Sequence, residues 1–166
     1  NGIPGSGKTT IARHLAEKLE RSAHLEGDLL HEMMVVGRVE HSTGAEADRQ
    51  AELTDRNFCL LAKSFSYEGI VPVMDFIIDS AARLTTYTGF FSDQGIHLVT
   101  LFTTIETARQ RFQKREAHEA GSGLEGLATK LQSELRGKGF WLASSGLSVG
   151  QSVDSIFKHK AEALLS

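Results

Sequence analysis

Residues 2–9 read Gly2-Ile3-Pro4-Gly5-Ser6-Gly7-Lys8-Thr9, which is the spacing G-x-x-x-x-G-K-[ST]. No other stretch constrains the fold so strongly, because each fixed position serves one geometry. Gly2, Gly5 and Gly7 let the main chain turn tightly and bring its N–H groups to phosphate oxygens. Lys8 supplies a positive charge for β- and γ-phosphates, and the Thr9 hydroxyl suits Mg²⁺. A following helix adds the positive end of its dipole to the same anion site. Such a loop belongs between a buried strand and a helix, yet here it begins one residue into the sequence. Four fixed letters in eight positions also arise by chance, so the rest of the chain must supply the context.

That context is an alternation of helical and strand-like patterns, which predicts an α/β fold with a mainly parallel sheet. Ile11, Leu15 and Leu19 recur at helical spacing within a helix over 8–20. A short strand is expected over 23–27, ending at Asp28, then a helix over 28–36 and an irregular stretch over 37–44. A long helix over 45–67 carries Phe58, Leu61, Ala62 and Phe65 on one side. Gly69 closes it, and the apolar run 70–78 is a strand ending near Asp75. Pro72 cannot donate to an interior ladder, which places it at the strand's first residues or at a bulge. Further on, the pattern predicts helices over 80–93 and 104–118, with a strand over 96–102 between them. Gly121-Ser122-Gly123 breaks the chain before a helix striped by Leu124, Leu127, Leu131 and Leu135. A strand over 140–143 and a closing helix over 149–165 complete the reading. All four strands follow the loop. The strand from which the loop should hang is expected upstream of Asn1, about 4–8 residues long, since a gap in mid-sheet would orphan neighbouring backbone groups.

The chain has 166 residues, the size of one domain, and a formal net charge of −3. That charge leaves no basic footprint for nucleic acid. No apolar run reaches membrane-spanning length and no signal peptide is visible, so a cytoplasmic location is expected. The single Cys59 reads as a small buried hydrophobe. The seven histidines form no zinc-type spacing. No Asn-Lys-x-Asp motif is present, which argues against a guanine-specific switch protein.

Several charged residues could carry chemistry. If the strand runs through Asp28, Glu26 and Asp28 share a face at its C-terminal end, the edge where open α/β sheets bind ligands. Asp28 there would orient an attacking hydroxyl or accept its proton; the alternative is that it caps the helix after it. Asp75 ends the next strand at the same edge and would complete a magnesium site with Thr9. Phe76 follows it, so the Asp-Glu pair of hydrolysing motors is absent. Asp79 reads as a helix cap or surface charge. Arg111 and Arg115, four apart on one helix face, can lie across a nucleotide, and the glycines of 121–126 would let the region 104–126 close as a lid. The alternative is a solvated face balanced by Glu106, Glu116 and Glu119. Arg109 and Lys114 read as surface residues, as does Arg56 unless it meets an acceptor.

With these residues assembled, the chain resembles the small ATP-dependent kinases of the phosphate-loop superfamily, in particular the AAA-domain group that includes chloramphenicol phosphotransferase-like proteins. It is also similar to gluconate and adenylylsulfate kinases. The shared order runs through residues 2–10, 24–31, 56–65, 69–75, 104–115 and 140–153. The resemblance implies a three-layer, nucleoside-monophosphate-kinase-like domain spanning 1–166. Its parallel sheet would have the order 2-3-1-4-5, counting the expected upstream strand as the first. It implies ATP and Mg²⁺ as cofactors and a small-molecule hydroxyl as acceptor, with no nucleic-acid or membrane partner; the oligomeric state stays open. Gly2, Pro4, Gly5, Ser6, Gly7, Lys8, Thr9, Thr10 and Arg111 would contact the nucleotide, Thr9 and Asp75 the metal. Lys8, Asp28 and Arg115 would act in transfer. The alternatives are a nucleotide-binding ATPase module without an acceptor, or a nucleotide kinase. Two departures from the pattern, Phe76 and Ala143 where acids are common, bear on the acceptor side. Leu147-Ser148-Val149-Gly150-Gln151 is similar to the transporter-ATPase signature but lacks the strand and Asp-Glu that follow it there. A loop contacting adenine is the more useful reading of that segment. The acceptor pocket would be lined from 29–58, whose Met33, Met34, Val35 and Val36 suggest a partly apolar acceptor.

Overall fold

The computed structural model describes residues 1–39, 44–116 and 123–165, the side chains of 115 and 116 excepted. Helix α1 (Lys8–Glu17) leaves the glycine-rich loop and is followed by β1 (Ser22–Glu26), α2 (Gly27–Glu32) and α3 (Ala45–Tyr67). Next come β2 (Val71–Asp75), α4 (Ala81–Phe90), β3 (Ile96–His97) and β4 (Val99–Phe102). The chain then forms α5 (Ile105–Glu116), α6 (Leu124–Leu135), β5 (Phe140–Ala143), α7 (Val149–Lys158), α8 (Lys160–Ala163) and β6 (Leu164–Leu165).

The expected alternation is present, with local differences. The first strand stops at Glu26, so Asp28 stands in the first turn of α2, not on a strand. The apolar run 96–102 divides at Leu98: β3 pairs antiparallel with β6, whereas β4 pairs parallel with β5. The expected closing helix ends early, because its last residues serve as β3's partner. Pro72 occupies the second position of β2, opposite Ala23. Val71 donates its N–H to Arg21, so one residue on, the donor-less nitrogen of Pro72 lies on the other edge and costs the β1–β2 ladder nothing.

The parallel pairs β1–β2 and β4–β5 are separate two-stranded ladders that lie as two halves, with no named strand pairing between them among the described residues. Between the facing edges of β2 and β4 lies a cavity of about 710 Å³, lined by Pro72–Asp75, Leu98, Val99 and Leu101 and floored by Ile11 and Leu15 of α1. Asn1 lines it as well. The Asn1 nitrogen donates to the Val99 carbonyl at 2.9 Å, Leu101 donates to the Asn1 carbonyl at 2.8 Å, and Gly2 bridges Leu101 in parallel. The residues that open the phosphate loop thus run beside β4, on the side facing β2.

Helices cover both faces. On one, Phe58, Cys59 and Ala62 of α3, Leu84 and Tyr87 of α4, and Leu131 and Leu135 of α6 form a continuous core with Leu25 and Leu98. On the other, Ile11 of α1 meets Val153 and Ile156 of α7 over Leu101 and Leu142. Each fully buried large side chain contributes about 1.5–3 kcal/mol of transfer free energy. The arrangement has three layers, and the strand tips carrying Glu26 and Asp75 align in register at one edge.

Candidate functional site

The loop at residues 2–7 is built on backbone that only glycine tolerates well: φ is 141° at Gly2, 78° at Gly5 and 96° at Gly7. Gly7 is the N-cap of α1 and offers no side chain. The first-turn N–H groups of Lys8, Thr9 and Thr10 have no acceptor one turn back, as at any helix start, and carry the positive dipole end. Ser6 is fully buried and its hydroxyl has no hydrogen-bond partner among the described residues. Its carbonyl accepts the Ser144 hydroxyl at 3.1 Å, which fastens the loop to the end of β5. Lys8 reaches back over the loop, its Nζ 3.4 Å from the Ile3 carbonyl.

Asp75 closes β2, is buried, and has one carboxylate oxygen with no hydrogen-bond partner among the described residues. Asn1, Lys8 and Asp75 line the same cavity, so lysine and carboxylate stand near the root of the loop. An orphaned buried carboxylate oxygen beside a phosphate-binding helix start is what a hard divalent cation requires. Asp75 and the Thr9 hydroxyl are the oxygen donors that would hold such a cation.

Asp28 is exposed at the second position of α2, where Glu26 is the N-cap. No side chain caps this helix, and Asp28 makes no hydrogen bond or ion pair among the described residues. The capping alternative is therefore not realised. Glu26 lies 3.7 Å from His24 Nδ1 and is tied into its own strand.

Helix α5 presses against the loop. A Cβ placed on Gly5 would stand 2.1 Å from the Ala108 carbonyl oxygen, and one on Gly7 3.9 Å from Arg111 Nη1. Arg111 is thereby brought to the phosphate loop. The backbone of Arg115 belongs to α5, but its side chain lies outside the described residues, as do 117–122 of the expected lid. Arg109 pairs with Glu125 across to α6. Arg56 is exposed on α3. Met33, Val35 and Val36 are exposed beside Asp28's helix, Val36 at 92%.

Three residues that the sequence reading passed over form a tightly bonded side-chain group. Asp55 of α3 accepts Arg83 Nε at 2.6 Å, Arg83 Nη2 at 2.7 Å and the Tyr87 hydroxyl at 2.7 Å. Burial pushes the Tyr87 hydroxyl upward and the Asp55 charge adds to it. Burial alone would lower the Arg83 guanidinium, but its bonds to Asp55 outweigh that and raise it. Asp79 is not a helix cap: Ser80 caps α4, while Asp79 pairs with Lys130 at 2.6 Å and faces Arg83 at 3.7 Å.

Comparison with known proteins agrees with this geometry. The family described as AAA domain matches residues 1–134. A Janibacter sugar kinase in unliganded form superposes with a TM-score of 0.75 at 18% identity, covering 98% of this chain and 92% of its own. An APS kinase of Mycobacterium tuberculosis, in complex with AMPPNP and APS, gives 0.68 at 18% identity over 95% and 92%. A tunicamycin resistance protein of Deinococcus radiodurans gives 0.65 at 20% identity over 100% and 95%. No curated protein sequence matches significantly. Among the described residues, no helix is long and apolar enough to cross a membrane.

Proposed function

The chain belongs to the AAA-domain family, and on that premise we propose that it is an ATP-dependent kinase transferring the γ-phosphoryl group to a hydroxyl of a small molecule. The observation that carries this reading is an acid that ends β2 and a second acid in the helix turn directly after β1, the strand paired with it. Asp75 is buried with an unsatisfied oxygen beside the loop, and Asp28 is uncapped and open to an incoming acceptor.

The loop N–H groups and Lys8 bind the β- and γ-phosphates, and Arg111 adds positive charge beside Gly7. Thr9 and Asp75 would hold Mg²⁺, which supplies charge neutralisation on the phosphate oxygens when bound. Asp28 orients the acceptor hydroxyl and takes its proton as the new O–P bond forms. The bond from the γ-phosphorus to the bridging oxygen breaks, and ADP leaves. Arg115, by its place on α5, is assigned to the charge on the transferred group. Residues 104–126 act as the lid of a single domain, and a cytoplasmic location fits an ATP-consuming reaction.

The neighbours' names span sugar, APS and tunicamycin chemistry, so the acceptor must be found by trial. A panel of D-gluconate, other sugars, adenylylsulfate, nucleosides, tunicamycin and chloramphenicol, read by coupled ADP release, is expected to reveal acceptor-dependent turnover. Lys8→Ala should abolish it. Asp28→Asn should lower kcat by about 100-fold or more, the scale of a lost general base, with Mg·ATP still bound. Tight Mg·ATP binding with no stimulation by any acceptor would instead favour a nucleotide-binding module.

A further inference from the structure

The three residues after Asp75 are fixed at separate points. Phe76 lies with its ring centroid 5.0 Å from the Arg83 guanidinium carbon and 5.8 Å, edge-on, from the Phe58 ring. Its Cδ2 stands 2.3 Å from the place a Cβ on Gly27 would take, so the ring fills the space this glycine leaves. The Ile77 carbonyl accepts Arg83 Nη1 at 2.7 Å. The Ile78 N–H donates to Asn1 Oδ1 at 3.0 Å. One segment thus spans from the root of the phosphate loop to Gly27, the residue immediately before Asp28.

Arg83 is the hub of that segment. Asp55 grips it with both oxygens, and Tyr87 donates to the same carboxylate from the next turn of α4. A buried ion pair of this kind contributes little net stability compared with an apolar pair of equal volume. What a bidentate guanidinium–carboxylate contact does provide is a fixed plane. The guanidinium carbon lies over the Phe76 ring, and Cδ2 and Cγ of that ring stand 2.3 and 2.4 Å from the place of a Cβ on Gly27.

We propose that Arg83, held by Asp55 and Tyr87, is a positioning residue that sets Asp28 for phosphoryl transfer through the Phe76–Gly27 contact. The inference rests on the kinase reading of Asp28. It also gives Phe76 a role: the ring is a spacer between Arg83 and α2.

The test uses the full chain with Arg83→Lys, which keeps the charge but loses the fork, and with Tyr87→Phe and the near-isosteric Asp55→Asn. Acceptor-dependent ADP release is measured with D-gluconate, adenylylsulfate and chloramphenicol as probes, Mg·ATP binding by calorimetry, and backbone amide exchange by mass spectrometry. For Arg83→Lys we expect kcat to fall by about 10- to 100-fold, as small misplacements do. The Mg·ATP Kd should stay within about twofold, well under the tenfold that 1.4 kcal/mol represents. Exchange over 27–32 should quicken while 8–17 is unchanged, with Asp55→Asn behaving alike and Tyr87→Phe showing a smaller effect. Unchanged kcat with unchanged exchange over 27–32 overturns the proposal. So does a parallel loss of Mg·ATP binding and melting temperature in all three variants, the mark of a merely structural pair. If the unsubstituted chain turns over no probe, the kinase reading loses support, and the exchange data alone decide whether Arg83 orders the start of α2.

Discussion

Gly5 shows how closely single atoms govern this site. Its φ of 78° is left-handed, and a Cβ there would meet the Ala108 carbonyl oxygen of α5 at 2.1 Å. Backbone cannot yield as the end of a flexible side chain can, so Gly5→Ala must either reshape the loop or push α5 away. The left-handed conformation alone costs an alanine about 1–2 kcal/mol. Mg·ATP affinity in Gly5→Ala is therefore expected to fall by about tenfold or more, the equivalent of 1.4 kcal/mol, as titration calorimetry would show; unchanged affinity would contradict the described contact. Cys59 makes a different residue-level prediction. Burial raises its thiol to about 12, and the nearby Asp55 charge adds to the rise. The unfolded thiol ionises near 9.0, so the unfolded chain releases a proton that the folded chain keeps. Stability is then undiminished below that value and declines as pH rises toward 12. Urea midpoints should fall between pH 8 and pH 10.5 by more in the natural chain than in Cys59→Ala, and thiol reagents should label Cys59 only as fast as the chain opens.

Elements carry their own signals, some local and some not. At α7 the signal is local: Gln151 N–H donates to the Ser148 hydroxyl at 3.2 Å, and Ser148 N–H donates to Gln151 Oε1 at 2.9 Å. This capping box gives Ser148 and Gln151 a structural job in a stretch that looks like a transporter signature. Ser148→Ala should cost about 0.5–2 kcal/mol, visible as a melting temperature lower by about 2–4 °C per kcal/mol. A melting temperature identical to that of the natural chain would show the box to be idle. Helix and strand periodicity, read from neighbours three, four or two residues away, was legible at α1, α3, α6, β2 and β5. The change of partner at Leu98 was not, because β3 and β4 differ in what they meet rather than in what they contain: Leu164 and Leu165 in one case, Phe140–Ala143 in the other. Asp55 was missed for the same reason. Its partners are 28 and 32 residues away on another helix, and within α3 it looks like any charged residue beside Arg56. The glycine turns of the loop and the place of Asp75 at the end of β2 could be read, because tight turns and apolar runs mark fixed positions; Asp28 was expected on a strand and stands on a helix. Ser144, which clasps the loop from the far end of the chain, carries no such mark.

At the scale of the whole molecule, the phosphate loop sits where the two halves of the sheet are tied together. Asn1 joins β4 through its backbone and the segment after β2 through its side chain, which accepts the Ile78 N–H. Asp75 approaches from one half, while Ser144 approaches from the other and grips the loop directly. A ligand whose phosphates engage the loop N–H groups, Lys8 and the Asp75 side together binds a geometry that exists only when both halves are docked. Its binding energy must then appear as stability of the entire fold. At a free Mg·ATP concentration of about 100 times Kd, linkage gives about 2.7 kcal/mol. For a chain of this size that corresponds to a rise in melting temperature of about 5–11 °C. Adenosine, which has no phosphates, should produce little of this shift, and ADP should retain most of it. Lys8→Ala should remove the shift, each variant being compared with its own ligand-free melting temperature. Scanning fluorimetry with the three ligands separates the possibilities. A shift of equal size with adenosine would place the binding energy at the base and not at the loop. A shift that survives Lys8→Ala would mean that the loop does not grip phosphate as its backbone geometry demands.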